Sequence, residues 1–352
     1  MGSPPCGGVR TIYRYEMSSQ ISFSERVSGA LHGLFIADAL AMPVHWYYNT
    51  DALRRDYGQV SDFLAPRNPH PDSILWRSSY APTSPAADIL HDQARYWGVK
   101  GVHYHQFLEA GENTLNAQLA AEVLEFVISK GSYSRGPWLE HFIAYLTTPG
   151  KHRDTYVEEY LRHFFVNYGR GLDPEHCGRQ DEHHIGGLTL MLPLTIYFAD
   201  TPDYARKISL EHLSLTHGGT LMNRGASLVV DLLIDLLHGS ALNDVLEQVL
   251  HSSSTKSKLP SPLDLLDYPD HIVVGRHFSS ACYLDQALPA TFYLAAKYQD
   301  QPEKGLIANT MCGGDNCGRG SVLGALLGAA CGLKAWPQSW INGLKRPPAI
   351  IT

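Results

Sequence analysis

Apolar positions recur at helical spacing through most of this chain, and alternating strand-like runs are missing. Ser22-Phe23-Ser24-Glu25 has the form of a capping box, and Val27, Leu31, Leu34, Phe35 and Met42 follow it on one stripe, which predicts a helix from Phe23 to the residue before Pro43. Leu115, Leu119, Val123 and Val127 form a second stripe, opened by Gly111-Glu112-Asn113-Thr114 and closed by Gly131. Pro137 introduces a helix over Trp138 to Leu146, and Thr155-x-x-Glu158 reads as the capping box of one ending near Gly169. Further helices are predicted from Thr201-Pro202-Asp203 to about Thr216, over Leu221 to His238, and over Tyr283 to Tyr298 with an interruption at Pro289. This succession predicts an all-α fold.

The breaks in the pattern are as informative as the pattern. Asp38 lies on the same apolar face as Leu31, Leu34 and Phe35, so a carboxylate points inward; capping a neighbouring backbone segment is the favoured role and membership of a polar site the alternative. His45 and Trp46 stand just past that helix, where side chains can lean over a cleft. Residues 49–111 lack a strong period and contain five prolines between Pro66 and Pro85, which suits a lid or a set of short helices. That stretch ends in a run of titratable and aromatic groups, His91 to Gly98 followed by His103-Tyr104-His105. Two polar patches, Arg179 to Gly187 (with His183 and His184) and Ser214 to Gly219 (with His217), fall at helix boundaries, where amide donors can hold an anionic ligand. Residues 252–275 are polar and read as a surface excursion.

Near the C-terminus Met311-Cys312-Gly313-Gly314-Asp315-Asn316-Cys317-Gly318-Arg319-Gly320-Ser321 packs a carboxylate, an amide and a thiol between glycines. That composition costs backbone entropy and buries little apolar surface, so it reads as a site. Gly320, Gly324, Gly328 and Gly332 then recur every four residues and place bare backbone on one helix face, which predicts close helix packing.

With 352 residues and 44% hydrophobic content the chain can bury one large core. We expect one helical domain over 22–345, a disordered tail over 1–21 and a short tail over 346–352. The net charge of -7, with scattered Lys and Arg, gives no footprint for nucleic acid or an anionic membrane, so a small molecule is the expected partner; oligomeric state stays open. The six cysteines form no C-x-x-C pair, and the first twenty residues hold no signal-peptide core, so an intracellular, cytoplasmic protein is expected.

Two stretches resemble one family. Gly29-Ala30-Leu31-His32-Gly33-Leu34-Phe35-Ile36-Ala37-Asp38-Ala39-Leu40-Ala41-Met42-Pro43-Val44-His45-Trp46 resembles the GxxxGxxxGDALGxPxEW opening of the ADP-ribosylglycohydrolase family, which includes the dinitrogenase reductase activating glycohydrolases and the J1 crystallins. Gly314-Asp315-Asn316-Cys317-Gly318 with its glycine helix is similar to the family's closing GGDTDTxGAIxGAxxGA. The resemblance implies a compact, orthogonally packed helical domain whose central cleft holds two magnesium ions and ADP-ribose. In the family a T-D-D-T tetrad and the C-terminal D-T-D-T tetrad bind the metals, and the glutamate ending GDALGxPxE acts at the reacting centre.

This chain departs from that pattern. The first tetrad corresponds to Gly111-Glu112-Asn113-Thr114, the second keeps Asp315 but has Asn316, Cys317 and Gly318, and the glutamate position is His45. Two carboxylates replace four, which disfavours a di-magnesium centre. The expected site is therefore catalytic His45, Glu112, Asn113, Asp315 and Cys317, with Trp46, Tyr48, His103, His105, His183, His184, His217 and Asn316 binding the ligand. No cofactor is expected; a single zinc or other divalent ion on His45, Asp315 and Cys317 is an alternative. The leading reading is a repurposed enzyme doing hydrolase-like or lyase-like acid–base chemistry on a small molecule. The alternatives are a non-catalytic ADP-ribose-binding or crystallin-like protein and a residual ADP-ribosyl glycoside hydrolase.

Overall fold

The computed structural model describes residues 21–252 and 260–349. All but Ile21 of the expected N-terminal tail, and residues 350–352, lie outside the described residues, as do 253–259 of the expected surface excursion. The fold is all-α, with isolated bridges but no strand among the described residues.

Two helices form its axis, α1 (Phe23–Ala41) and α13 (Asn316–Cys331). The predicted capping box is formed: the Ser22 hydroxyl accepts the Glu25 amide and the Glu25 carboxylate accepts the Ser22 amide. The glycine face also acts as expected. Gly29 meets Gly328, Gly33 meets Gly324 and Ala37 meets Gly320, so the helices run antiparallel with backbone against backbone. A Cβ on Gly324 would land on the Gly33 carbonyl oxygen, and one on Gly328 on that of Gly29. Phe23–Val44 is long and apolar enough to cross a membrane by composition, with mean hydropathy 1.5, but 94% of that window is buried inside the protein.

Around this pair pack α6 (Gly186–Tyr197), α8 (Thr220–Leu237), α9 (Leu242–Ser252), α11 (Leu284–Lys297) and α12 (Pro302–Met311). Helix α11 runs through Pro289, contrary to the predicted interruption; only one backbone bond near its start is forfeited there. A second apolar cluster joins α3 (Leu115–Lys130), α4 (Arg135–Thr147) and α5 (Glu159–Gly169), with α7 (Pro202–Leu213) against α6 and α8. The long proline-rich stretch contains α2 (Thr50–Tyr57) and three short 3-10 turns. A single turn, α10 (Asp270–Ile272), lies within the expected excursion, and α14 (Gln338–Gly343) follows α13 near the C-terminal end of the described residues. Arg346, placed in the tail by sequence, is bound to Glu122 and Glu125.

The N-termini of α3 and α13 meet the C-terminal end of α1, and the α5 start faces them. Each amino end carries a partial positive charge and unpaired amides, so their convergence favours buried carboxylates.

Candidate functional site

Asp38 performs the favoured role of capping a neighbour. Its Oδ1 accepts the Thr114 amide at 2.8 Å and the Asn113 side-chain amide at 2.9 Å, and its Oδ2 accepts the Thr114 hydroxyl at 2.7 Å. Burial raises its pKa to about 6 against the pull of those bonds. Asp154 caps the next position, accepting the Leu115 amide on Oδ2 at 2.8 Å. Asp315 is the N-cap of α13 and accepts the Gly318 amide at 2.9 Å. Gly313 and Gly314, with φ of 64° and 65°, bring it there; a Cβ on either would strike the Tyr47 or Ser280 carbonyl oxygen. Two further bonds fasten this turn to the end of α1, Trp46 N–H to Gly314 C=O at 2.9 Å and Gly314 N–H to Tyr47 C=O at 2.8 Å.

Between Asp154 and Asp315 two imidazoles complete a buried chain. His105 Nδ1 lies 2.8 Å from Asp154 Oδ1, His105 Nε2 lies 2.7 Å from His45 Nδ1, and His45 Nε2 lies 3.3 Å from Asp315 Oδ1. The imidazoles lie edge to edge, with centroids 5.0 Å apart and 2° between planes, as an in-plane hydrogen bond requires, and Trp46 stacks on His45 at 4.7 Å. Two neutral imidazoles carry two ring protons, yet the chain has three contacts to fill. The two short contacts hold those protons, so the long one, between His45 Nε2 and Asp315, is one proton short. Burial takes the His45 pKa down to about 4. Burial alone would raise Asp315, but the carboxyl is held below its ordinary value; with His45 neutral, the Gly318 amide and Arg319 are the groups that favour its ionised form.

Glu158, at the N-cap of α5, lies near enough to Asp315 to feel its charge and makes no side-chain hydrogen bond or ion pair among the described residues. Burial, and then the Asp315 charge, raise its pKa to about 8, so it carries a proton at neutral pH. Beyond it Glu182 receives His184 Nδ1 at 2.6 Å; burial would raise Glu182, but His184 and His217 bring it to about 2. His184 is raised in return, against its own burial, so this pair is ionic. Tyr48, about half exposed, lies close to Cys282, Asp315 and Tyr283, and the Tyr283 ring covers His184 at 5.4 Å.

Several expected site residues are elsewhere. Glu112 turns away from His45: its carboxylate takes Arg153 at 2.5 Å and the Glu109 amide at 2.6 Å, because the α3 start is already capped by Asp38 and Asp154. Asn113 is a brace, donating to Asp38 and to the Phe35 carbonyl at 2.8 Å. Cys317 sits in an apolar cluster with Ala41, Met42 and Leu108, its thiol on the Asp38 carbonyl, and burial pushes its pKa well up; it is neither a thiolate nor a ligand beside His45. Asn316 donates to Thr310 and Val44 carbonyls beneath the turn. His103 bonds the Pro43 carbonyl and the His105 amide, behind the chain. His183 binds the Asp181 carbonyl and stacks on Tyr283, whereas His217 is wholly buried against Tyr160 and Thr216. His45, Asp315, His105, His184, Trp46 and Tyr48 do converge.

Asp154, Glu158 and Glu182 are absent from the sequence-derived set. Thr155-x-x-Glu158 matched a capping box, but Thr155 bonds Gln93 and Gln106 instead, which leaves Glu158 as an N-cap with a free carboxyl.

Asp38, Asp154 and Asp315 are each spent on helix amides or imidazoles, the second tetrad supplies an inward thiol, and no group of three or more His, Cys, Asp and Glu among the described residues is arranged to hold a metal.

No curated protein matches the chain significantly. A solved structure titled "ADP-ribosylglycohydrolase-related protein complex" is similar in fold, with a TM-score of 0.61 at 18% identity over 92% of this chain and 93% of that one. The family profile for ADP-ribosylglycohydrolase matches residues 19–351, and with that span the chain belongs to the ADP-ribosylglycohydrolase family.

Proposed function

We propose that this member of the family is an enzyme that cleaves a bond in a small polar molecule by metal-independent acid–base chemistry. The observation that supports the reading is the proton-deficient contact between His45 and Asp315, with a protonated Glu158 near it. A water or substrate X–H entering there meets a His45–Asp315 pair with room for one proton. Asp154 holds His105, and His105 holds His45, so the positive charge arriving on His45 is spread towards a carboxylate. Glu158 gives its proton to the departing atom, and its rise to about 8 suits an acid working near neutral pH. Trp46, Tyr48 and Tyr283 wall the entrance and suit a ligand with a flat or apolar face.

The test is turnover in an untargeted metabolite mixture with EDTA present. Wild-type protein is expected to deplete one compound, and His45→Ala and Asp315→Ala to lose about 10²–10⁴-fold in rate while remaining folded. Full activity in either variant, or activity that EDTA removes and magnesium restores, overturns the proposal.

A further inference from the structure

Behind the α3 start, separate from the His45 cleft, lies a cavity of about 330 Å³. Its wall comes from four places in the chain: the start of α3 and the residues just before it (Asn113, Gln118), Tyr145 of α4, the 150–153 loop before Asp154, and Lys345-Arg346. Four cations line it, Lys151, Arg153, Lys345 and Arg346, against one carboxylate, Glu112. Their commitments differ. Arg346 is held by Glu122 and Glu125 at 2.7 Å each, and Arg153 by Glu112 at 2.5 Å. The Lys345 ammonium reaches only Glu109, at 3.7 Å, and the Lys151 ammonium has no ion pair or hydrogen bond among the described residues. His152, on the same wall and 7% exposed, has a buried Nδ1 with no hydrogen-bond partner. Tyr145 and Gln118 add polar lining but are satisfied by each other and by the Asn113 carbonyl.

A concave site with one ammonium group free, a second held only loosely at 3.7 Å, and two guanidiniums fixed behind them offers positive charge where a compact anion fits. We propose that this cavity is a second ligand site, for a small oxyanion of the hydrogen phosphate kind. Lys151 and Lys345 supply the charge-assisted contacts, and Arg153 and Arg346 set the field. The proposal does not depend on the chemistry assigned to the His45 cleft.

The probe is inorganic phosphate, titrated calorimetrically into the full chain at constant ionic strength maintained with sodium chloride. Wild type is expected to show saturable one-to-one binding, and Lys151→Ala/Lys345→Ala to bind about tenfold more weakly or worse. Both lysines are surface groups outside the apolar clusters, so the double variant should fold, which circular dichroism verifies. His45→Ala is expected to bind phosphate as wild type does. Absence of saturable heat, unchanged affinity in the folded double variant, or loss of binding in His45→Ala would each overturn the site.

Discussion

Glu158 carries a cost that the fold bears for its position. Burial and the nearby Asp315 charge lift its pKa from 4.5 to about 8, so between those values the folded chain holds a proton that the unfolded chain has released. Stability from this group is therefore lost as pH rises from the unfolded value towards 8, and is level beyond it. Glu158→Gln removes the titration and keeps the shape. The variant should be more stable than wild type by about 1–2 kcal/mol at pH 8, should match it near pH 4, and should lose turnover. Melting temperatures of both proteins across that range decide the matter; a gap that does not change with pH would show that Glu158 is not strained by its charge. The same environment disfavours a thiolate at Cys317, the second residue of α13: its thiol is sunk among Ala41, Met42 and Leu108, and after burial the Asp38 and Asp315 charges push its pKa up further.

The site depends on how closely α1 and α13 approach, since one delivers His45 and the other Asp315. Gly33 and Gly324 are in direct backbone contact, so Gly324→Ala must force the helices apart and should cost about 3 kcal/mol, read as a lowered denaturation midpoint; a midpoint within error of wild type would mean that the contact is slack. This pairing was legible in the sequence because it rests on a local rule, glycine every fourth residue, and so was the α1 capping box. Which side of the α3 start faces the cleft was not legible. Glu112 and Asn113 are adjacent in sequence, and only the tertiary arrival of Asp38 and Asp154 at the helix amides decides that Asn113 turns in and Glu112 out. Glu158 was hidden for a related reason: a four-residue signature matched a cap, and a distant Gln93 claimed the threonine that the cap required. His105 was found as part of a histidine-rich run, but its partner Asp154 comes from 49 residues further on.

Family membership alone would place two divalent ions in the cleft, and the arrangement of charge argues against it. Two ions side by side need several free carboxylate oxygens to offset their repulsion. Asp38 has both oxygens occupied by α3, Asp154 is shared between Leu115 and His105, and Asp315 Oδ1 is divided between His45 and Gly318. Asp315 Oδ2 and Glu158 are left, and Glu158 holds a proton at neutral pH. Magnesium would have to displace helix caps that hold the fold together, so binding and stability would oppose each other. Thermal unfolding separates the cases. An ion present at a hundred times its dissociation constant stabilises by about 2.7 kcal/mol, which for a chain of this size is a rise of several degrees. We expect the melting temperature in millimolar magnesium to equal that in EDTA, and millimolar zinc to give no stoichiometric site by metal analysis. A rise of several degrees with magnesium, abolished in Asp315→Ala, would return this cleft to the family's metal-assisted chemistry and remove the role assigned to the His45–Asp315 pair.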